Sequence, residues 1–285
     1  MTARTIDSYI YSFEKPKKPQ ERWGCLRADV APNTERICSE LHRELCKLEK
    51  YEVPSETDGR GAFKFGDVDV PKNGMYFFFQ KGEEGHNGDR IVRVGINKTK
   101  KLALRMSNHF RLDPLRSVFS TYLIHIYILY LMGPKLDEWT GTCNPNKIFD
   151  ANRFDELYRV NKKPSDLEKD LKILRSRMYK GNTDRLEGYR KALLPYFREN
   201  FRYSFVWFPD ELEERDLMED GIIGTVAHCN KCGPSSTWIG KLAPHKATRE
   251  YGLWLRNCTS GRKRLSEDGK LKMVEYIEKT RDHDY

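Results

Sequence analysis

The sequence predicts an α+β fold, in which a small antiparallel or mixed β-sheet is flanked by helices and extended by further helical segments. Three observations predict it. Met75-Tyr-Phe-Phe-Phe and Arg90-Ile-Val-Arg-Val are β-rich runs joined by Lys81 to Asp89, a stretch with three glycines, which together make a strand-turn-strand signal. Apolar residues recur at spacings of three and four in separate segments before and after that pair. Arg202-Tyr-Ser-Phe-Val-Trp-Phe returns to strand composition late in the chain.

Taken in chain order, the stretch to about Gln20 is polar and carries Lys15-Pro-Lys-Lys-Pro, an arm that is either a solvated basic tail or a DNA contact. Asn33 offers a helix cap, and Ile37, Leu41, Leu45 and Leu48 follow on one helical face. Asp58-Gly-Arg-Gly-Ala is turn-rich, so residues 1–60 read as an N-terminal arm and helix and 61–285 as the main body. After the strand pair, Leu102, Met106 and Phe110 mark a helix within Lys100 to Phe110. Val118 to Met132 is apolar but interrupted by Ser120, Thr121 and His125, and it is too short to span a bilayer, so it reads as a buried helix. Residues 133–200 are polar and rich in Lys and Arg, a helical insertion with one helix capped by Ser165 and running through Leu167, Leu171 and Leu174. Beyond the last strand, Pro209 and Asp210 start a helix that buries Leu212, Leu217, Met218 and Ile222 and carries Glu219. The remainder to Pro244 reads as loop.

A chain of 285 residues fits one large domain or two modest ones, since single cores stop growing near roughly 250–300 residues. With 51 Lys and Arg against 42 Asp and Glu, its formal charge of +9 favours a polyanionic partner, and nucleic acid outranks an acidic membrane surface. No apolar run is long enough to cross a bilayer, and Met1 to Ser12 lacks the order of a secretory signal. The reading is a soluble, cytoplasmic protein. Its seven scattered cysteines read as reduced thiols. Cys229-Asn-Lys-Cys232, with His228, His245 and Cys258 nearby, holds enough donors for four zinc ligands. No second CxxC pair accompanies it, so these thiols read as packing or surface residues.

Gly74-Met75-Tyr76 opens one strand, Arg93-Val94-Gly95 closes the next, and Leu104-Arg-Met-Ser-Asn-His-Phe-Arg111 follows on a helix. In that order these elements resemble the GIY-YIG nuclease family. Arg105 and His109, four residues apart, share one helical face. Asp216-Leu-Met-Glu219-Asp-Gly-Ile-Ile223 resembles the family's later helix, in which a Glu supplies the metal ligand. Ser236-Thr-Trp-Ile-Gly and Tyr251-Gly-Leu-Trp-Leu-Arg-Asn257 are similar to a restriction-endonuclease-like bacterial branch of the family. The resemblance runs from Gly74 to Asn257, loosely from Lys135 to Arg198.

The resemblance implies a catalytic set of Tyr76, Arg93, Arg105, His109, Glu219 and Asn257, with Glu219 as ligand to Mg²⁺ or Mn²⁺. The chemistry gives these residue types reasons to meet, because phosphodiester hydrolysis needs an activated water, cations against the pentavalent charge and help for the leaving oxygen. Tyr76 is the candidate base. An ordinary tyrosine titrates near about 10, so it needs a cation beside it or a partner to relay its proton. Arg105 offers a bidentate phosphate contact, and Asn257 orients phosphate or leaving group. The family's second tyrosine is replaced here by Arg93, which stays protonated and so adds a cation or a phosphate contact, not a base. Taken singly, Tyr76 is a packing residue, Arg105 and Glu219 are surface ions, and Trp238 and Trp254 are core anchors. Only their joint order assigns chemistry. The function expected from the resemblance is a restriction or defence endonuclease on double-stranded DNA, working as a homodimer to cut both strands. The alternatives are a repair or mobile-element nickase and a catalytically inactive nucleic-acid-binding protein.

Overall fold

A computed structural model describes residues 33–55, 65, 68–86, 88–98, 101–114, 116–132, 163–176, 183–255 and 264–283. At its centre lies β2 (Gly74–Gly85), paired with β3 (Gly88–Ile96) on one side and β4 (Phe201–Trp207) on the other. The two-residue β1 (Tyr51–Glu52) pairs with the outer edge of β4. Every pairing is antiparallel, which decides between the antiparallel and mixed alternatives.

The glycine-rich connection expected from Lys81 to Asp89 is mostly strand. Register shifts fall between Phe78 and Phe79 and between Phe79 and Glu84, and Gly82 takes φ 80°, so the pair bends and keeps going to Gly85 and Gly88.

Strand β2 is covered on both faces, which is why its apolar residues do not alternate with polar ones. Tyr76 and Phe78 face a cluster built with α2 (Leu102–Phe110), α3 (Val118–Met132), α4 (Pro164–Ser176) and α5 (Thr183–Asn200). Met75, Phe77 and Phe79 face a second cluster built with α1 (Thr34–Leu45) and α6 (Leu212–Ala227). Two 3₁₀ turns, Asn230–Cys232 and Ile239–Leu242, and the short α7 (Lys246–Tyr251) follow α6. The last helix, α8 (Glu267–Arg281), completes the second cluster through Met273 and Ile277.

Three expectations about helix ends need correction. Asn33 occupies the N-cap of α1 without a side-chain capping hydrogen bond. Helix α4 begins at Pro164, a residue pre-set for the first helical position, so Ser165 lies inside the first turn and is not its cap. Helix α6 starts at Leu212, after Pro209 and Asp210. Helix α8, unforeseen from the sequence, is capped by Ser266, whose Oγ accepts from Gly269 N at 3.0 Å. Among the described residues no helix is long and apolar enough to cross a membrane.

Candidate active site

The antiparallel register decides the first encounter at the site. Tyr76 lies between Gly95 on β3 and Phe205 on β4. Its phenol crosses Gly95 so closely that a Cβ there would stand 2.2 Å from Tyr76 Oη. The glycine of Arg93-Val-Gly is therefore required by the tyrosine opposite it. Gly95→Ala is expected to lower stability by about 1–3 kcal/mol through overpacking, measured as a lower urea midpoint. An unchanged midpoint would mean the ring is not held there.

Helix α2 brings His109 to the same place. Leu102, Met106 and Phe110 bury one helical face, and His109, three residues after Met106, is carried with them onto the sheet. His109 Nε2 lies 2.6 Å from Tyr76 Oη and Nδ1 lies 2.7 Å from Ser117 Oγ. Ser117 Oγ also accepts from Ser120 N at 3.2 Å. Phe78 and Phe119 stand edge-on to the imidazole and, with Tyr76, enclose it. Burial holds His109 well below the ordinary histidine range, and the charges of Arg93 and Arg105 push in the same direction. The ring is neutral at pH 7. In the tautomer with hydrogen on Nδ1, it donates to Ser117 and accepts from the Tyr76 hydroxyl.

Two cations flank this pair. Arg93 is buried, donates through Nη1 to the Trp254 carbonyl and lies 5.8 Å from the Phe119 ring centre. Its Nε–H is buried without a hydrogen-bond partner among the described residues. Arg105 is half-buried and makes no side-chain hydrogen bond or ion pair among the described residues.

Glu219 comes from α6, which packs on β3 from the opposite face of the sheet. Its side chain is half-buried, with no hydrogen bond or ion pair among the described residues. Burial lifts its carboxyl to about 7, Asp220 and Asp216 add to the rise, and Lys98 and Arg93 oppose it. Lys98 itself pairs with Asp216 at 2.8 Å. The charge of Arg93 thus acts on both His109 and Glu219. Arg105 and Glu219 keep solvent-accessible surface, while Tyr76 and His109 keep none.

No family model, curated protein or solved structure matches this chain.

Five of the six expected site residues, Tyr76, Arg93, Arg105, His109 and Glu219, lie among the described residues. Tyr76 and His109 are in contact, with Arg93 and Arg105 close enough to act on the imidazole, while Glu219 stands on the other face of the sheet and is linked to them only through the charge of Arg93. Asn257 lies outside the described residues. Trp238 and Trp254 are fully buried and donate to one acceptor, Gln80 Oε1, at 3.2 and 3.3 Å, so they anchor the core. Their glycines have packing reasons. A Cβ at Gly240 would enter the Trp238 ring, and Gly252 takes φ 69° where Arg90 Nη1 donates to its carbonyl. Trp254 N donates to Val92 O at 2.7 Å, which covers the otherwise open edge of β3.

Ser117 is the residue that sequence reasoning missed. It follows His109 by eight positions across a turn in which Leu112 takes φ 49°, and no periodicity marks it. Several basic side chains have protein partners. Besides Lys98, Arg202 lies 4.0 Å from Glu52, and Lys241 donates to Ser236 O at 3.1 Å. Of the zinc donors named from the sequence, Cys229 and Cys232 lie together, but the expected partners do not join them. His228 bonds Gly224 O at 3.0 Å and packs on Tyr251, His245 stands at the start of α7, and Cys258 lies outside the described residues.

Proposed function

We propose that this chain is a metal-dependent endonuclease that hydrolyses phosphodiester bonds in double-stranded DNA, a restriction or defence enzyme acting in the cytoplasm as a homodimer. The observation that carries the reading is the 2.6 Å contact between Tyr76 Oη and a neutral, buried His109 flanked by two arginines. Packing alone explains an aromatic pair; it does not explain a buried Arg93 donor, or a half-buried Glu219 carboxylate, that has no hydrogen-bond partner among the described residues. A divalent cation fits Glu219, because a hard oxygen donor whose charge burial disfavours is relieved by Mg²⁺ or Mn²⁺. When bound there, the ion supplies charge against the phosphate oxygens.

The remaining chemistry belongs to the chain. As water attacks, the Tyr76 hydroxyl proton shifts transiently along its hydrogen bond to His109 Nε2, a ring whose charge burial and both arginines disfavour, so that the proton does not rest there. Ser117 Oγ holds the imidazole in place through Nδ1. The phenolate takes a proton from the attacking water, whose oxygen bonds to phosphorus as the bond to the leaving oxygen breaks. The leaving oxygen takes a proton from solvent, Tyr76 releases the proton it took from water, and His109 returns its own to Tyr76 Oη, which restores the starting state. The free donor of Arg93 and the unpaired guanidinium of Arg105 hold the phosphate oxygens as their charge grows.

One observation favours a different reading. Tyr76 is fully buried, as a residue kept only for packing would be, which suits a catalytically silent nucleic-acid-binding protein. Incubation of the protein with supercoiled plasmid, methylated and unmethylated, in Mg²⁺ and in EDTA separates the two. Linear product that needs Mg²⁺ supports the endonuclease. Nicked circles alone support a repair or mobile-element nickase, and binding without any cutting leaves the silent reading standing. DNA affinity is expected to fall on the order of 10³-fold between about 50 and 200 mM salt if roughly six phosphates are neutralised. A flat salt response would exclude DNA as the substrate.

A further inference from the structure

At the tip of the β2–β3 hairpin, far along the strand from Tyr76, three thiols and one imidazole converge. Cys38 comes from α1, His86 from the hairpin turn, Cys229 from the residue before the 3₁₀ turn after α6, and Cys232 from the end of that turn. Their four donor atoms all lie within 4.8 Å of one another. Cys38 Sγ and Cys232 Sγ are 3.6 Å apart, and His86 Nε2 is 2.9 Å from Cys229 Sγ. With metal–sulfur bonds of about 2.3 Å, a tetrahedral site has sulfur–sulfur edges of about 3.8 Å, so Cys38 and Cys232 already stand near that spacing. All three thiols are free and buried, and His86 is half-buried.

We propose that Cys38, His86, Cys229 and Cys232 form a structural Zn²⁺ site, a Cys₃His set that staples three separate elements of the fold. Three local features fit a built site better than a chance grouping of thiols. His86 holds φ 47°, a backbone conformation that a non-glycine residue adopts at a cost, and this turns its imidazole toward Cys229. Gly85 leaves room for sulfur, since a Cβ there would stand 3.2 Å from Cys232 Sγ. His42, one turn after Cys38, is buried beside the cluster, with Nδ1 3.0 Å from Cys38 O and Nε2 3.8 Å from Cys232 Sγ, where an outer-shell residue steadies thiolate ligands.

The donor set selects the metal. Three thiolates and an imidazole suit Zn²⁺ and disfavour Mg²⁺ or Ca²⁺, which require oxygen. Four protein ligands close a tetrahedral site and leave no position for water, which makes the ion structural, not catalytic. Glu219 is not among the four donors and lies eight residues before the end of α6, about 12 Å of helix from the end that leads to Cys229, so this ion is distinct from any ion at Glu219. The benefit to the fold is topological. Cys38 and Cys232 are 194 residues apart in sequence, and α1 otherwise joins the body through side-chain packing in the second cluster and the Arg36–Glu267 and Glu40–Lys270 ion pairs to α8. A link across so long a loop restricts the unfolded chain strongly.

The test uses the full chain purified from zinc-supplemented expression without added chelator. Elemental analysis is expected to find one zinc per chain, and replacement by Co²⁺ is expected to give the visible and thiolate charge-transfer absorption of a tetrahedral Cys₃His site. His86→Ala should weaken zinc retention at least tenfold, His86→Cys should restore it, and Cys46→Ser, at an exposed thiol outside the cluster, should leave it unchanged. The rescue by His86→Cys keeps the test decisive where His86→Ala fails to fold. Metal-free wild-type protein in which Co²⁺ develops no thiolate band would overturn the proposal, as would a native Cys38–Cys232 disulfide found by non-reducing peptide mapping.

Discussion

Glu219→Gln is expected to make the metal-free protein more stable at pH 8 and at the same time to abolish its Mg²⁺-dependent cleavage. Burial raises the carboxyl from 4.5 to about 7. A carboxyl whose folded value lies above its unfolded value binds its proton more tightly in the native state. That contribution is complete below about pH 4.5 and is lost as pH rises through about 7. Above pH 7 the native state holds a charge it solvates poorly. Full conversion of the shift gives about 3 kcal/mol, which the partial exposure of the side chain reduces to about 1–2 kcal/mol. Glutamine keeps the shape and removes the charge, so the melting temperature should rise by about 2–8 °C at pH 8 and stay unchanged near pH 4. Mg²⁺ should raise the melting temperature of the wild type at pH 8 and not that of the variant. Cleavage should fall on the order of 10³-fold or more. A surface glutamate with no ligand to hold would show neither the stability gain nor the lost Mg²⁺ response. Cleavage by Glu219→Gln at wild-type rate would remove this residue from the site.

How much of this was legible in the sequence depends on the range over which each signal acts. Helix α3 matches its expected bounds, Val118 to Met132, because apolar residues around a whole helix leave no ambiguity of face. Helix α2 and the Tyr76 strand were legible for the same local reason, and so was the Arg105–His109 spacing. What local pattern cannot carry is the pairing of β2 with β4, more than a hundred residues downstream, which gives β2 a neighbour on each side. Ser117 was invisible because hydrogen bonding to an imidazole needs only one hydroxyl in the right place, and serine occurs everywhere. The Cys-x-x-Cys was visible, yet its partners were sought nearby in sequence, at His228, His245 and Cys258. The structure brings Cys38 and His86 to it instead, from distant helix and hairpin. Helix α8 escaped because its apolar stripe is sparse, with Met273, Tyr276 and Ile277 set among charged residues.

Tyr76→Phe is expected to leave the fold nearly intact and to reduce cleavage by about 10²–10⁴-fold, the range in which positioned proton transfer contributes. The variant keeps the ring over Gly95 and its contact with Phe78, so the core is not opened. It removes the hydroxyl from His109 Nε2 and leaves a buried ring nitrogen unpaired, a loss of about 1–2 kcal/mol. His109 also sets a pH signature. Its folded value lies well below the ordinary 6.5 because burial, Arg93 and Arg105 all disfavour its charge. For a histidine shifted in that direction, the stability it contributes is present above about 6.5 and is lost as pH falls below that value, since the unfolded chain takes up the proton first. His109→Gln should flatten part of the fall in unfolding free energy between pH 6.5 and 5 that wild type shows, with His42 and His228, both also held below the ordinary value by burial, contributing to the part that remains. If Tyr76 serves only packing, Tyr76→Phe will cut DNA as fast as wild type while showing the same small loss of stability. The ratio of lost cleavage to lost stability therefore decides between a base and a core residue, and a loss of less than about tenfold in cleavage would assign Tyr76 to the core.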